Sequence, residues 1–244
     1  MDSKFDTVVL DIETDSLDAT KIHCICIQDY ATGEQKDFIQ DQGCEEFKQF
    51  HNDERKYIMH NGISFDGPVL ERLLGITIPL ENIIDTLLIS QMINAHIDGG
   101  HSLKSWGKKL TRGGKLEFKD FDQYSKEMLK YCQQDVHVTR KLMQHLAPKI
   151  TRFSTESVRM EHRIRRIIDQ QEKNGFYLNV NKAHDLLEEL KTKSEDLNRD
   201  LQTIFPTIYT PRFHKTTGKP LKDHVDEFNP SSRKQVAERL QKKY

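Results

Sequence analysis

The sequence is poor in cysteine and tryptophan and lacks a long apolar run. Only four of its 244 residues are cysteine and one is tryptophan. Cys24 and Cys26 are one residue apart and no second close pair follows, which is poor spacing for a zinc site. We therefore expect reduced thiols in a cytoplasmic protein. No signal peptide opens the chain and no apolar stretch approaches about 20 residues, so we expect no contact with a membrane.

Net charge is also nearly absent. The chain carries 37 basic and 38 acidic residues, a formal charge of −1, which excludes a polycation that coats duplex DNA. The two parts differ, because residues 1–150 hold 18 basic and 24 acidic side chains and residues 151–244 hold 19 and 14. An acidic first part suits a metal site. A basic second part suits a polyanion or an acidic partner, or is an ordinary set of solvated helix faces.

The most informative segment is VVLDIET, residues 8–14, where an apolar run leads into two carboxylates. Side chains at i and i+2 of a strand share a face, so Asp11 and Glu13 are expected to point the same way. Two neighbouring negative charges at the end of a buried strand repel each other and lose hydration. A divalent cation such as Mg²⁺ or Mn²⁺ removes both penalties. A solvated strand end is the alternative for this motif alone.

Two further acids lie in unusual contexts. Asp66 ends the segment HNGISFD, directly after an apolar run at 57–59 that reads as a strand. Asp135 follows Tyr131 by four residues, so both lie on one face of a predicted helix over roughly 124–147. The apolar neighbours of this face place it near the core. Buried polar groups need partners, and metal ions or substrate can supply them.

The order of predicted elements defines the fold class. Strands are expected near residues 6–12, 22–29, 35–39 and 57–59, with helices alternating after them and one helix ending at Pro148. This pattern predicts an α/β domain over 1–150 with a mixed sheet flanked by helices. Residues 151–244 show helical stripes, with 206–228 expected to be a loop. We therefore expect an all-helical tail after the sheet domain.

Three motifs in this order resemble one family. Asp-x-Glu on the first strand, Asp66 after an Asn and an aromatic residue, and Tyr-x-x-x-Asp on a helix resemble the DEDDy class of 3′–5′ exonucleases. HNGISFD, IDT at 84–86 and SLKSWG at 102–107 resemble the proofreading domain of family A DNA polymerases from T-odd-type phages. EHR at 161–163, NGF at 174–176 and FNPSS at 228–232 resemble the segment leading into the polymerase thumb. Hence the resemblance covers nearly the whole chain.

The resemblance implies a ribonuclease H-like fold and a two-metal mechanism. Asp11, Glu13 and Asp135 would hold one Mg²⁺ or Mn²⁺ ion, and Asp11 with Asp66 a second. Tyr131 would orient the attacking water. The expected reaction removes 5′-mononucleotides from single-stranded or frayed DNA 3′ ends. No palm or fingers follow Tyr244, so we expect a split or truncated polymerase, or a free-standing nuclease, encoded by a phage and working in the host bacterial cytoplasm.

Several residues are candidates for substrate contact. The resemblance implies an apolar wedge at Leu17 and contacts from Thr14, Asn61 and Phe65, although Leu17 and Phe65 are equally compatible with the core and Asn61 with a turn. Asp85 is expected to be a structural acid. A run of basic residues around Trp106 is expected to guide single-stranded DNA, with a solvated loop as the alternative. The basic residues are Lys104, Lys108, Lys109, Arg112 and Lys115.

Two other functions stay open. The chain could be a docking subunit that binds a separate polymerase chain through its basic tail. The same fold could also degrade RNA, because the phosphodiester bond is common to both nucleic acids.

Overall fold

The computed structural model describes residues 5–111, 116 and 118–244, and its contacts divide the chain after Gly175 into two compact units. The helix that follows residue 150 contacts the first unit. The boundary by contacts thus lies 25 residues beyond the end of the α/β domain that the sequence predicts over residues 1–150. Whether residues 151–244 act as one functional segment stays a prediction. Among the described residues, no helix is both long and apolar enough to cross a bilayer.

The first unit contains a five-stranded mixed sheet of order β3-β2-β1-β4-β5. The strands are β1 Thr7–Thr14, β2 Ile22–Asp29, β3 Gln35–Ile39, β4 Lys56–Met59 and β5 Ile83–Asp85. β1, β2 and β3 form an antiparallel meander, whereas β4 and β5 run parallel to β1. The predicted α/β class with a mixed sheet is confirmed.

In the described part of this unit, six helices and one 3₁₀ turn surround the sheet. They are α1 Gln40–Phe50, α2 Asp66–Leu74, the turn Leu80–Asn82, α3 Thr86–Ile93, α4 Leu103–Leu110, α5 Lys126–Ile150 and α6 Thr155–Asn174. Serines at 102, 125 and 154 each accept a backbone N–H at a helix N-terminus. The predicted end of α5 at Pro148 is wrong, because the helix continues to Ile150. Proline removes only one donor there, close to the C-terminus where few bonds remain to be lost.

The alternation of β1 separates two apolar cores. Val8, Leu10 and Ile12 lie in the core that includes residues of α1 and α2. Val9 lies in the other core, with residues of α5. Because side chains alternate along a strand, Asp11 and Glu13 continue the face of Val9 toward α5. The strand pattern therefore decides which helix meets the two carboxylates.

The second unit combines two helices with a hairpin. α7 spans Val180–Ile204, β6 Ile208–Phe213, β7 Pro220–Asp226 and α8 Arg233–Lys243. The expected loop over 206–228 and the all-helical tail are wrong, because β6 and β7 pair antiparallel. Almost all side chains of β6 and β7 are exposed. Strands without a buried face need no alternation of apolar and polar residues, so the sequence does not indicate them. The buried Arg239 side chain donates to the backbone oxygens of Pro206 and Asp226 and fixes α8 to the hairpin.

Candidate active site

Asp11 and Glu13 form an acid pair on the face of β1 that meets α5. Glu13 is only 7% exposed. The two carboxylates and the Cys132 sulfur offer ligand atoms that all lie within 4.8 Å of one another. Bringing two carboxylates this close in a partly buried place costs free energy unless positive charge is added. Oxygen donors of this kind suit a hard divalent cation, so the pair could hold a metal ion.

Helix α5 brings the next two predicted residues to the same side of the sheet. The Cys132 sulfur lies 3.4 Å from the backbone oxygen of Asp11 and 3.7 Å from its Oδ2, which fixes the helix against β1 at the acid pair. Asp135 is buried and follows Cys132 by one helical turn. Tyr131 precedes Asp135 by four residues and is half-buried on the same face. The long helix thus carries an acid and a phenol to the side of the sheet on which Asp11 and Glu13 lie.

Asp66 approaches β1 from the side of β4, the strand that precedes α2 in the chain. β4 pairs with β1 only as far as Val9, so the Ile12 amide beyond it is available to a side chain. The carboxylate of Asp66, in the first turn of α2, lies near this amide, whose N–H favours the ionised form. Burial, followed by the nearby charge of Asp85, raises the pKa of Asp66 to about 7. A cation beside Asp66 would favour the ionised form that burial disfavours.

Asp85 organises the segment that carries Asp66. Its Oδ1 accepts hydrogen bonds from the amides of Asn61 at 3.0 Å and Leu87 at 2.9 Å, and its Oδ2 accepts from Ile63 at 3.2 Å. Burial raises the pKa of Asp85 despite these bonds. Asn61 has a positive φ of 68°, which turns the chain between β4 and α2. Both carboxylate oxygens are therefore used by backbone, in agreement with the structural role expected for this acid.

His162 completes this network, and the sequence analysis assigned it no role. Its Nε2 accepts the backbone N–H of Asp85 at 3.0 Å, and its Nδ1 lies 2.8 Å from the oxygen of Val158. The proton is therefore on Nδ1 and the ring is neutral. Burial lowers the pKa of His162, which favours the same form. No spacing in the sequence indicated this contact, since His162 and Asp85 are 77 residues apart.

We expect His162→Ala to lower the free energy of unfolding by about 1–3 kcal/mol, because it leaves the buried amide of Asp85 without its acceptor. Protonation is disfavoured in the folded state, so this contribution is present above pH about 6.5 and is lost as the pH falls below it. Denaturant unfolding at pH 7.5 and pH 5 measures both effects. Arg166→Ala on the exposed side of α6 is the matched control. Equal stability of the two variants at pH 7.5 would contradict the role of His162.

Two phenylalanines surround Tyr131 and were also missed. The rings of Phe118 and Phe121 lie 5.8 and 6.2 Å from the Tyr131 ring, measured between centroids. The backbone oxygen of Phe121 lies 2.9 Å from Nε2 of His23 on β2. The segment before α5 is thus attached to the sheet and limits the positions of the Tyr131 ring. Sequence spacing gives no indication of such a contact between a loop and a helix.

The predicted substrate contacts lie in different environments. Leu17 is 91% exposed in the loop after β1, as a wedge would require. Asn61 is exposed, whereas Phe65 is partly buried against the core of α1 and α2. The hydroxyl of Thr14 donates to the backbone oxygen of Ser16 at 2.9 Å. Leu17 is therefore the candidate whose apolar side chain is most exposed to water, and contact with a substrate would cover it.

The predicted basic guide around α4 is described only in part. Lys104, Lys108 and Lys109 are exposed, and Arg112 and Lys115 lie outside the described residues. Trp106 is only 8% exposed, belongs to the core under α5, and donates through Nε1 to Ser90 Oγ at 3.3 Å. A base can stack only on a ring with an uncovered face. The burial of Trp106 therefore argues against its predicted stacking role and assigns it to the core.

Solved structures share this fold. NrnC from Brucella melitensis, solved with bound Mg²⁺, has a TM-score of 0.56 and 20% sequence identity, over 70% of this chain and 86% of that one. RNase D from Escherichia coli, an exoribonuclease involved in structured RNA processing, has a TM-score of 0.50 and 16% identity, over 68% of this chain and 46% of its own. At these identities the likeness shows the fold, which is ribonuclease H-like.

Sequence comparisons identify the family. The DNA-directed DNA polymerases of Escherichia phage T7 and Enterobacteria phage T3 are each 28% identical over 283 residues, covering 88% of this chain. The chain spans about 40% of the length of these relatives. A family model described as 3′-5′ exonuclease matches residues 1–151, which contain the whole sheet and every acid of the candidate site. The chain therefore belongs to this 3′–5′ exonuclease family.

Proposed function

We propose that this protein is a metal-dependent 3′–5′ exodeoxyribonuclease that removes 5′-mononucleotides from single-stranded or frayed DNA 3′ ends. The observation that carries this proposal is the meeting of three elements at the acid pair. α5 contacts β1 at Asp11 through Cys132, and Asp66 lies near the amide between Asp11 and Glu13. The polymerase relatives support DNA as the substrate and proofreading as the task.

We propose that four carboxylates hold a pair of divalent cations. Asp11, Glu13 and Asp135 would hold one ion and Asp11 with Asp66 the other, and carboxylate oxygens favour Mg²⁺ or Mn²⁺. When bound, such ions supply positive charge to the phosphate and lower the pKa of water. The raised pKa of Asp66, about 7, is the local sign that positive charge is needed here.

Tyr131 has the role of orienting the attacking water. A phenol hydroxyl can both donate and accept a hydrogen bond. It can hold a water molecule by a hydrogen bond while the rings of Phe118 and Phe121 restrict its own movement. Attack on the terminal phosphodiester then breaks the bond to the preceding 3′ oxygen and releases a 5′-mononucleotide.

We expect Tyr131→Phe to lower kcat by about 10²-fold, because it removes one hydrogen bond that positions the water. The aromatic packing remains, so KM and the melting temperature should change little. Steady-state hydrolysis of a labelled single-stranded oligonucleotide measures both constants. Tyr30→Phe is the matched control, since Tyr30 is a partly buried tyrosine at the end of β2. An unchanged kcat in Tyr131→Phe would remove Tyr131 from the mechanism.

Leu17 should separate a terminal base pair. We expect Leu17→Ala to slow hydrolysis of a paired 3′ end several-fold more than that of a single strand, because unpairing costs a few kcal/mol. The exposed Leu17 side chain makes little contribution to the core, so stability should not change. Rates on matched duplex and single-stranded oligonucleotides give the ratio. An equal loss on both substrates would exclude a wedge.

The choice between DNA and RNA is tested directly. The purified protein is given DNA and RNA oligonucleotides of the same sequence, with Mg²⁺ and, separately, Mn²⁺. We expect faster removal of nucleotides from DNA and only from its 3′ end. Faster digestion of RNA would instead favour an exoribonuclease, as RNase D is described to be. Digestion from the 5′ end would contradict the mechanism as a whole.

A docking role is the second candidate, and α7 is the observation that favours it. No residue of α7 is buried, and even its apolar side chains Leu186, Leu190 and Leu197 are each more than half exposed. Exposed leucines at helical spacing are typical of a face that packs on another helix. We propose that this face binds a separate polymerase chain. Co-purification with such a chain, lost on Leu190→Glu but not on Glu189→Gln, is the expected result, and the absence of binding would contradict it.

A further inference from the structure

Three buried thiols lie directly beside the acid pair. Cys24, Cys26 and Cys132 are completely buried, and their sulfur atoms all lie within 4.8 Å of one another. Cys24 and Cys26 share one face of β2, and their sulfur atoms lie close to that of Cys132 on α5. Residues far apart in the sequence are thus brought to one point, which explains why the spacing of the cysteines alone gave no indication of a site. We call this group the thiol triad.

The strand register joins the thiol triad to the acid pair. Cys26 lies opposite Asp11 and Cys24 opposite Glu13 in the antiparallel pairing of β1 and β2. Opposite residues of such a pair project on the same face with their Cβ atoms about 5 Å apart. Cys132 covers both pairs, because its sulfur also lies 3.7 Å from Asp11 Oδ2. Cys132 is therefore part of the group of sulfur donors and also lies beside the oxygen donors of the acid pair.

We propose that the thiol triad is a binding site for a thiophilic divalent cation of the Zn²⁺ type. Three sulfurs bound to one zinc ion at about 2.3 Å lie about 3.8 Å apart, so small side-chain movements close the present arrangement around an ion. Thiolates select such ions, whereas carboxylates suit Mg²⁺ and Mn²⁺. The two groups of donors thus sort cations by chemistry. Binding releases the thiol protons to solvent and leaves a fourth position for another ligand.

The burial of the triad sets the route of loading. The three cysteines have no exposed surface and belong to the same apolar core as Val9, Ile58, Met128 and Val136, so an ion enters when α5 separates from the sheet or while the chain folds. Loading during refolding is accordingly expected to be faster than loading of the folded protein. The experiment therefore includes the ion in the refolding buffer.

Occupation of the triad has a consequence for the acid pair. A cation at Cys132 brings a thiolate ligand to within reach of Asp11, whose carboxylate would turn toward the added positive charge or compete for it. We expect the Zn²⁺-loaded protein to hydrolyse DNA more slowly than the zinc-free protein in the same Mg²⁺ buffer. This consequence rests on the proposed exonuclease function, whereas the existence of the site does not.

The test uses Co²⁺, which replaces Zn²⁺ and gives a near-ultraviolet charge-transfer band only with thiolate ligands. The full chain is refolded under reducing conditions with increasing Co²⁺. We expect the band to saturate at one ion per chain, to disappear on addition of Zn²⁺ and to persist in excess Mg²⁺. Bleaching by Mg²⁺ would assign the ion to the mixed group of Asp11, Glu13 and Cys132 and overturn the proposal, as would the absence of a band.

Matched variants locate the ion. Cys24→Ser and Cys26→Ser should weaken Co²⁺ binding by roughly tenfold or more, because each removes one ligand from the triad. Cys44→Ser is the control, since Cys44 is buried in the other core on α1. Circular dichroism checks that each variant folds, and Cys24→Ala serves if Cys24→Ser does not. Equal binding by wild type and a folded Cys24 variant, or equal weakening in Cys44→Ser, would overturn the proposal.

Discussion

Exonuclease hydrolysis should fall by about 10³-fold or more when either Asp11 or Asp135 is changed to alanine, because each removes a charge that holds a metal ion at the scissile phosphate. Asp11 is the residue that both ion sites would share, so its loss should have the largest effect. The folded structure should persist, since removing a buried carboxylate from a group of like charges relieves repulsion. Initial rates on a single-stranded DNA oligonucleotide, with circular dichroism of each variant, measure both expectations.

The control for this pair is Glu127→Gln, which removes an exposed acid from the first turn of the same helix α5. It should retain the wild-type rate. Binding of Mn²⁺ by calorimetry adds a readout that does not depend on turnover, and we expect it to weaken in Asp11→Ala. Retention of full activity by both folded alanine variants would end the assignment of these acids.

The sequence predicted the sheet well because its signals are local. The alternation of VVLDIET gives the two faces of β1 from seven residues, and the structure separates Val8 and Val9 into different cores accordingly. The hairpin of β6 and β7 was missed for the converse reason, since its side chains are exposed and only backbone pairing defines it. Local apolar patterns thus predict elements that are buried, and fail where an element is held without burial.

The residues of the candidate site also differ in whether a local sequence pattern reveals them. Asp11, Glu13, Asp66 and Asp135 were recognised because their motifs carry the resemblance, whereas His162 and Cys132 act through contacts between distant segments. His162 accepts the amide of Asp85 from 77 residues away, and Cys132 meets Asp11 from 121 residues away. No spacing rule connects such pairs. The prediction for Trp106 failed for another reason. An aromatic residue among lysines suggested a position on the surface, whereas its ring lies in the core with residues of α5.

Asp66→Asn should abolish hydrolysis and at the same time stabilise the metal-free protein at neutral pH. Burial raises the pKa of Asp66 to about 7 from an unfolded value of 3.8. Between these two values the folded state holds a proton that the unfolded state releases, so stability falls as the pH rises through this window. Asparagine keeps an oxygen near the Ile12 amide but cannot ionise. The advantage of the variant in unfolding free energy should therefore grow from pH 4 to pH 7, measured by urea unfolding in EDTA.

Addition of metal should reverse this order. We expect Mg²⁺ or Mn²⁺ to bind the folded wild type and not the unfolded chain, so the melting temperature of the wild type should rise with ion concentration. The rise should be smaller in Asp66→Asn, which loses one donor of the proposed second ion. Asp98→Asn, an exposed acid beyond α3, is the control and should follow the wild type in both buffers. If Asp66→Asn is less stable than the wild type in EDTA at pH 7, the carboxylate contributes more through its hydrogen bonds than its burial costs. Asp66 would then be a structural acid like Asp85, and the second ion would need another ligand.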